Sequence, residues 1–262
     1  MNDNKPARIV AVIGPAGAPG RSAIAANLAV VAAKRRQRVL LLDLDLTAPS
    51  QRFIFGRSDF GSGLAASIRL IGQGRLDEPK FAKLALPVIG TRERLHILAG
   101  TSSNNQVLEL NGSHLAELLE FVTPRFDLVV IDTGVFVAAS VGSSSLIQQI
   151  LAASSTAILV AGQTPTGIHR FIEAAKALPQ LHPPPTLAVL NRYRDSLHSI
   201  REINQTTQNL AGVEIDFVVP EDRYAFDIAA IEGRPAVLAT RKTPVRAALE
   251  RILDALPQVD DG

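Results

Sequence analysis

Ile9-Val10-Ala11-Val12-Ile13-Gly14-Pro15-Ala16-Gly17-Ala18-Pro19-Gly20-Arg21-Ser22 is the stretch on which the fold turns. A short β-branched run passes directly into a glycine-rich turn, and small and apolar residues at helical spacing follow at once through residues 23–34. Strand, glycine-rich turn and helix, in that order, offer backbone N–H groups and a helix N-terminus to an anionic oxygen, and a hydroxyl at the end of the turn can be placed on a magnesium ion. The residues of such a cradle here are Gly14, Gly17, Ala18, Pro19, Gly20, Arg21, Ser22 and Ala23. Its spacing is not the common Gly-x-x-x-x-Gly-Lys-Ser/Thr: the outer glycines stand one residue further apart, and Arg21 occupies the lysine position. From the loop alone, a phosphate cradle and a structural Gly/Pro turn are both open readings.

Outward from the loop the same alternation continues. Short apolar runs at residues 39–42, 95–99, 128–131, 156–160 and 187–190 read as strands, and helical periodicity predicts helices over 63–71, 114–122, 143–152, 167–178, 222–232 and 245–256. The strands are apolar on both faces, which calls for a helical layer on each side. The expected class is therefore α/β, a single doubly wound, mainly parallel sheet with helices on both faces, occupying residues 8–257 between tails at 1–7 and 258–262; if the glycine-rich turn is a phosphate cradle, the fold is of the P-loop NTPase type. Pro183 to Pro185 ends a helix and feeds an extended chain into the next strand, so it reads as a loop device and not as a linker between domains.

Composition narrows the class further. With 262 residues and 47% apolar content the chain can bury a sizeable core, and a net charge of +2 with both signs dispersed does not by itself call for a nucleic-acid partner. No cysteine is present, which excludes disulfides, iron–sulfur ligation and thiol catalysis. The run at 9–13 is shorter than the core of a signal peptide, and no stretch approaches the roughly 20 unbroken apolar residues of a spanning helix, so a soluble, cytoplasmic protein is expected. The histidines at 96, 114, 169, 182 and 198 show no metal-ligand spacing.

Three acids stand at strand ends. Asp43-Leu44-Asp45 closes the second strand, and Phe126-Asp127-Leu128-Val129-Val130-Ile131-Asp132-Thr133-Gly134 closes another on Asp132. Any one of them alone reads as a helix cap or turn former. Together, after a glycine-rich loop, they mark the carboxyl edge of an open α/β sheet, where a P-loop fold holds its metal through water.

The glycine loop with Ala25-Ala26-Asn27-Leu28-Ala29, then Val39 to Asp45, then Phe126 to Thr133 resembles the MinD/ParA family of deviant Walker ATPases over nearly the whole chain. Val189-Leu190-Asn191-Arg192 is similar to the family's adenine-reading strand end, and Val219-Pro220-Glu221-Asp222 to the loop that closes over the base. The loop and the ending Ala225-Phe226-Asp227, Glu232-Gly233-Arg234 and Thr243-Pro244 look most like the actinobacterial CpaE/TadZ-type branch, associated with pilus positioning and septum-site regulation. The resemblance implies ATP or ADP with Mg2+ as ligands. It implies Ser22 as a magnesium ligand, Asp43 and Asp132 as metal anchors acting through water, and Asp45 as the residue that orients the attacking water. Asn191 would read the adenine, and Pro220, Glu221 and Asp222 would flank it.

Two departures bear on catalysis. The family's signature lysine near the start of the loop has no counterpart, since Pro15 and Ala16 fill that stretch, and the general P-loop lysine is Arg21, a planar and bulkier cation. The expectation is an ATP-binding switch with weak or partner-dependent hydrolysis, against two rivals: a pseudo-ATPase scaffold and a ParA-like DNA segregation ATPase. A nucleotide-dependent homodimer and a protein partner at a membrane-associated or polar assembly are implied, with peripheral location through partners. DNA binding through Arg234, Arg241, Lys242, Arg246 and Arg251 is not favoured over a solvated basic face. The apolar stripe of the final helix, Val245, Ala248, Leu249, Ile252, Leu253 and Leu256, fits docking onto its own sheet better than membrane targeting, because its polar face is mixed in charge. The missing cysteines set the chain apart from the nitrogenase iron protein. Only Tyr193 and Tyr224 are present, which separates it from tyrosine kinases built on the same fold.

Overall fold

Strands that are apolar on both faces need a layer on each side, and the chain is arranged in that way. A computed structural model describes residues 6–17, 20–57, 61–100, 110, 112–136 and 146–257. In chain order it contains β1 (Arg8–Ile13), α1 (Arg21–Lys34), β2 (Val39–Leu44), α2 (Gln51–Ile54), α3 (Gly63–Gly72), α4 (Glu78–Leu84), β3 (Leu86–Pro87), β4 (Leu95–Leu98), α5 (Gly112–Val122) and β5 (Leu128–Thr133). There follow α6 (Leu146–Ala153), β6 (Thr156–Gly162), α7 (Pro165–Ala177), β7 (Thr186–Tyr193), α8 (Ile200–Ala211), β8 (Phe217–Pro220), α9 (Arg223–Glu232), α10 (Ala236–Ala239) and α11 (Pro244–Ala255).

The described strands form one eight-stranded sheet in the order β3-β4-β2-β5-β1-β6-β7-β8. Its pairings are parallel except for the short antiparallel edge of β3 on β4. Successive strand residues face opposite layers: Ile9, Ala11 and Ile13 join the core beneath α3, α5, α6 and α7, while Val10 and Val12 join the core beneath α1 and α11. Helix α1 is buried at every residue from 24 to 33, wedged between the sheet and α11. It is apolar all round because it has no solvent face to spare, and each fully buried Val, Leu or Ile contributes about 1.5–3 kcal/mol.

The apolar stripe of α11, from Val245 to Leu253, is spent on α1 and β8, which answers the question left by its amphipathic pattern. Among the described residues no helix is long and apolar enough to cross a membrane. Gly56, just beyond α2, and Gly233, which ends α9 in the left-handed region, meet backbone to backbone. A Cβ at Gly56 would lie 2.8 Å from the Gly233 carbonyl oxygen.

Several elements differ from their sequence expectations. Helix α8 carries only Ile203 and Thr207 as buried residues, so its periodicity is drowned by polar neighbours; its start is set instead by a capping box in which the Ser199 side chain and Glu202 exchange hydrogen bonds with the backbone. β8 lies where a loop is expected, because only its Val219 is buried. The start of the helix expected over 143–152 and the tails at 1–5 and 258–262 fall outside the described residues.

One polar side chain is built into the α1 core. Asn27 donates to Ala23 O at 2.7 Å, and its Oδ1 accepts the Val237 N–H at 2.9 Å, pinning the first turn of α10. Asn27→Leu would leave that buried N–H without a partner, and the expected cost is about 1–3 kcal/mol in urea unfolding. A loss well under that range would show that α10 finds another acceptor.

Candidate functional site

The glycine-rich turn sits at the carboxyl edge of the sheet between β1 and α1, and its first half is held by its carbonyl oxygens. Gly14 O accepts the Phe136 N–H at 3.0 Å, which continues the β1–β5 pairing by one bridge at Pro15. Arg21 turns back from the first position of α1, and its Nη1 donates to Gly14 O at 3.1 Å and to Pro15 O at 2.8 Å. Arg170 of α7 reaches in from the other side and donates to Ala16 O at 3.0 Å. Three consecutive carbonyls of the loop are thus engaged by two guanidinium groups. Gly20 precedes α1 at φ 85°, where a side chain is strained, and a Cβ there would stand 2.5 Å from Asn191 Nδ2. Ala18 and Pro19 lie outside the described residues.

Beneath the start of α1 lie the acids. β2 and β5 pair in register, so Asp43 and Asp132 are direct neighbours on adjacent strands, and neither has any exposure. The Asp43 carboxyl is pushed up from its ordinary 3.8 to about 7, first by burial and then by the charge of Asp132. Asp132 is pushed up to about 6 by burial, against hydrogen bonds from Gln51 and Ser22 that favour its ionised form.

Gln51, the first residue of α2, has no signal in the sequence that singles it out, yet it joins the two acids. Its backbone N–H donates to Asp43 Oδ2 at 3.0 Å, and its Nε2 donates to Asp132 Oδ2 at 2.7 Å and to Ser22 O at 3.1 Å. The remaining oxygens, Asp43 Oδ1 and Asp132 Oδ1, are buried without a hydrogen-bond partner. Asp45 is buried beside them, and its Oδ1 is used within its own turn by the Thr47 and Ala48 N–H groups at 3.0 and 2.9 Å.

The base-side residues divide. Asn191, two residues before the end of β7 and opposite Gly162, is buried and lies against the Gly20 turn, so it shares the edge with the loop. Pro220 ends β8. Glu221 is engaged by Arg194 and Arg223, each at 3.3 Å. The Asp222 carboxylate caps α9 through the Ala225 N–H at 3.0 Å and accepts from the Thr243 hydroxyl at 2.8 Å. Ser22, Asp43, Asp45 and Asp132 therefore come together, with Asn191 adjoining the loop, whereas the Asp222 side chain is committed to the fold. Arg170 and Gln51 are the additions that spacing could not have flagged, since both reach the site from other elements.

The donor set fits a cation carried in by a phosphate chain. Among the described residues no three His, Cys, Asp or Glu side chains gather closely enough to hold a metal alone. A serine hydroxyl over two orphaned carboxylate oxygens suits an ion held by phosphate oxygens and water.

The raised acids make stability depend on pH. Both bind protons more tightly in the folded protein than in the unfolded chain, so their contribution is present below about pH 4 and is lost as pH rises towards about 7. Without metal, urea unfolding should show Asp43→Asn to be more stable than wild type by about 1–3 kcal/mol at about pH 8, and the difference should vanish near pH 4. A less stable Asp43→Asn at the higher pH would mean that the acid is ionised and compensated in the free protein.

Residues 10–232 match the sequence profile of CbiA, the CobQ/CobB/MinD/ParA nucleotide binding domain. No curated protein matches the chain. Similar solved structures include the septum site-determining protein MinD from Pyrococcus horikoshii complexed with Mg-ADP, at 22% identity over 95% of this chain and 97% of that one with a TM-score of 0.73. The ParA family ATPase from Chlorobium tepidum aligns at 17% identity over 96% and 99% of the two chains with a TM-score of 0.79. A chain of the MinC:MinD cell division protein complex from Aquifex aeolicus aligns at 17% identity over 97% of this chain and 98% of that one with a TM-score of 0.69. At these identities the structural likeness is one of fold. The profile match, spanning most of the chain and including the loop, the three strand-end acids and Asn191, carries the assignment: the chain belongs to the CobQ/CobB/MinD/ParA family of nucleotide-binding domains.

Proposed function

We propose that the protein is an ATP- and magnesium-responsive switch of the CpaE/TadZ type that positions or regulates a cellular assembly, pilus machinery or the septum site, with weak or partner-dependent hydrolysis. The observation that carries this reading is the pair of orphaned oxygens, Asp43 Oδ1 and Asp132 Oδ1, buried under Ser22 at the end of a glycine-rich turn. Buried acceptors without partners cost folding free energy, and a ligand that supplies donors relieves that cost.

In this reading the N-terminus of α1 and the loop N–H groups bind the phosphate chain, and the Ser22 hydroxyl and the two acids hold the accompanying magnesium. Magnesium, when bound, neutralises charge on the phosphate oxygens. The Asn191 amide reads the adenine edge, with Pro220 and Glu221 beside it. Asp45 orients the attacking water through its second oxygen while the first keeps the turn closed. Weak turnover follows from Arg21: its guanidinium is bonded to Gly14 O and Pro15 O, and reaching a phosphate would require giving up both contacts. Phosphoryl transfer depends on well-placed cations, so this loss falls on rate more than on affinity. The same inward arginine favours the scaffold reading if nucleotide fails to displace it.

A nucleotide-dependent homodimer, or a protein partner, would cover α9. That helix buries only Ala225 and leaves Tyr224 and Ile231 in solvent at 71% and 85% exposure. Ile231→Asp should abolish any ATP-induced rise in sedimentation coefficient while leaving ATP affinity unchanged; a rise that persists would place the interface elsewhere.

Calorimetric titration with ATP, ADP and a nonhydrolysable analogue, with and without Mg2+, separates the switch from the scaffold. ATP should bind, Asn191→Ala should weaken ATP more than inorganic phosphate, and single-turnover hydrolysis should run well below about 1 per second. Arg21→Lys should raise that rate and Asp45→Ala should lower it. No binding of any nucleotide would leave the scaffold reading. Faster wild-type turnover would refute the deficient loop, and unchanged turnover in Asp45→Ala would remove its assigned role.

A further inference from the structure

Gln51 is the buried residue of α2, a helix of four residues, and nothing about packing asks for an amide there. A leucine or methionine would fill the same space without a polar group to satisfy. The amide is in fact only partly satisfied: Nε2 is used twice, by Asp132 Oδ2 and Ser22 O, while Oε1 is buried with no partner. Its own backbone N–H takes Asp43 Oδ2. One residue therefore consumes one oxygen of each paired acid.

What it leaves behind has a single character. Asp43 Oδ1, Asp132 Oδ1 and Gln51 Oε1 are three buried acceptors without partners on residues that are bonded to one another, and no side-chain donor of the three is left over. A group that satisfies them must offer hydrogens, and water molecules bound to a divalent cation present theirs outward. A carboxylate free to rotate could offer either oxygen, or both, but with Oδ2 of each acid fixed by Gln51 the rotation is settled.

We infer that Gln51 is the positioning residue of the cation site: its amide sets the rotation of the Asp132 carboxylate and its backbone N–H that of Asp43, so that one oxygen of each is left for the hydrated magnesium that accompanies a nucleotide. This rests on the reading of the loop and acid pair as a nucleotide–magnesium site. Gln51 acts through the acids and does not touch the phosphate chain.

The test is ADP titration calorimetry with and without Mg2+ on wild type, Gln51→Met and Gln51→Asn, each checked for folding by its thermal unfolding curve. Methionine keeps the length of the side chain without its hydrogen bonds, and asparagine keeps an amide that is one methylene too short to bridge Ser22 and Asp132. In both variants the metal-free ADP affinity should match wild type, while the gain in affinity on adding Mg2+ should fall about tenfold or more. A full magnesium gain in either folded variant overturns the role of Gln51, as does an equal loss with and without Mg2+, which would mark a structural effect. An ADP affinity that Mg2+ leaves unchanged in the wild type overturns the cation site itself, a result distinguishable from the other two.

Discussion

Parallel pairing of β2 with β5 sets two aspartates side by side at the edge of the sheet, both without exposure. Like charges at that separation and burial repel and lose hydration together, so the pair is tolerable only with hydrogen bonds, with a proton, or with a cation. Much of the surrounding architecture answers to this constraint. α1 starts directly above with the Ser22 hydroxyl, α2 starts beside it with Gln51, and Gly134 follows β5 where a Cβ would come within 3.2 Å of Asp45 Oδ1. The fold sustains a locally unfavourable arrangement because large apolar cores flank it on both faces of the sheet.

What could be seen in the sequence follows from what each feature depends on. The β1–loop–α1 unit, the strand-end acids and the doubly wound sheet are encoded by contiguous residues, and reading them needs only local pattern. Gln51 and Arg170 could not be read in that way, because the contacts that bring them to the site include Asp132, 81 positions from Gln51, and Ala16, 154 positions from Arg170. The inward turn of Arg21 was equally hidden: its type and position are visible, but whether a guanidinium faces a ligand or its own loop carbonyls is decided by tertiary geometry. Asp222 illustrates the opposite case, an acid whose position beside a strand end fits a ligand role while its carboxylate is taken up by a helix cap and Thr243. Helix α8 escaped because a largely exposed helix carries little hydrophobic period; its capping box, Ser199 with Glu202, was the available signal.

The arginine in place of lysine changes more than charge. An ammonium on a flexible stem can follow a phosphate oxygen, whereas a guanidinium bonds as a planar fork and fits two acceptors at once. Here Gly14 O and Pro15 O are both reached by one nitrogen of that fork, so the loop carries an internal competitor for any anion.

The burial of α1 has a mechanical meaning. Ten consecutive buried residues, packed between the sheet and α11, tie this helix to the core, and tilting it would open that core along its whole length. α2 is a single turn anchored by one buried amide, and beyond its far end Gly56 meets Gly233. The two helices that flank the acid pair are therefore mounted differently, α1 through an extended apolar contact with the core and α2 through the hydrogen bonds of Gln51 and the close approach of Gly56 to Gly233.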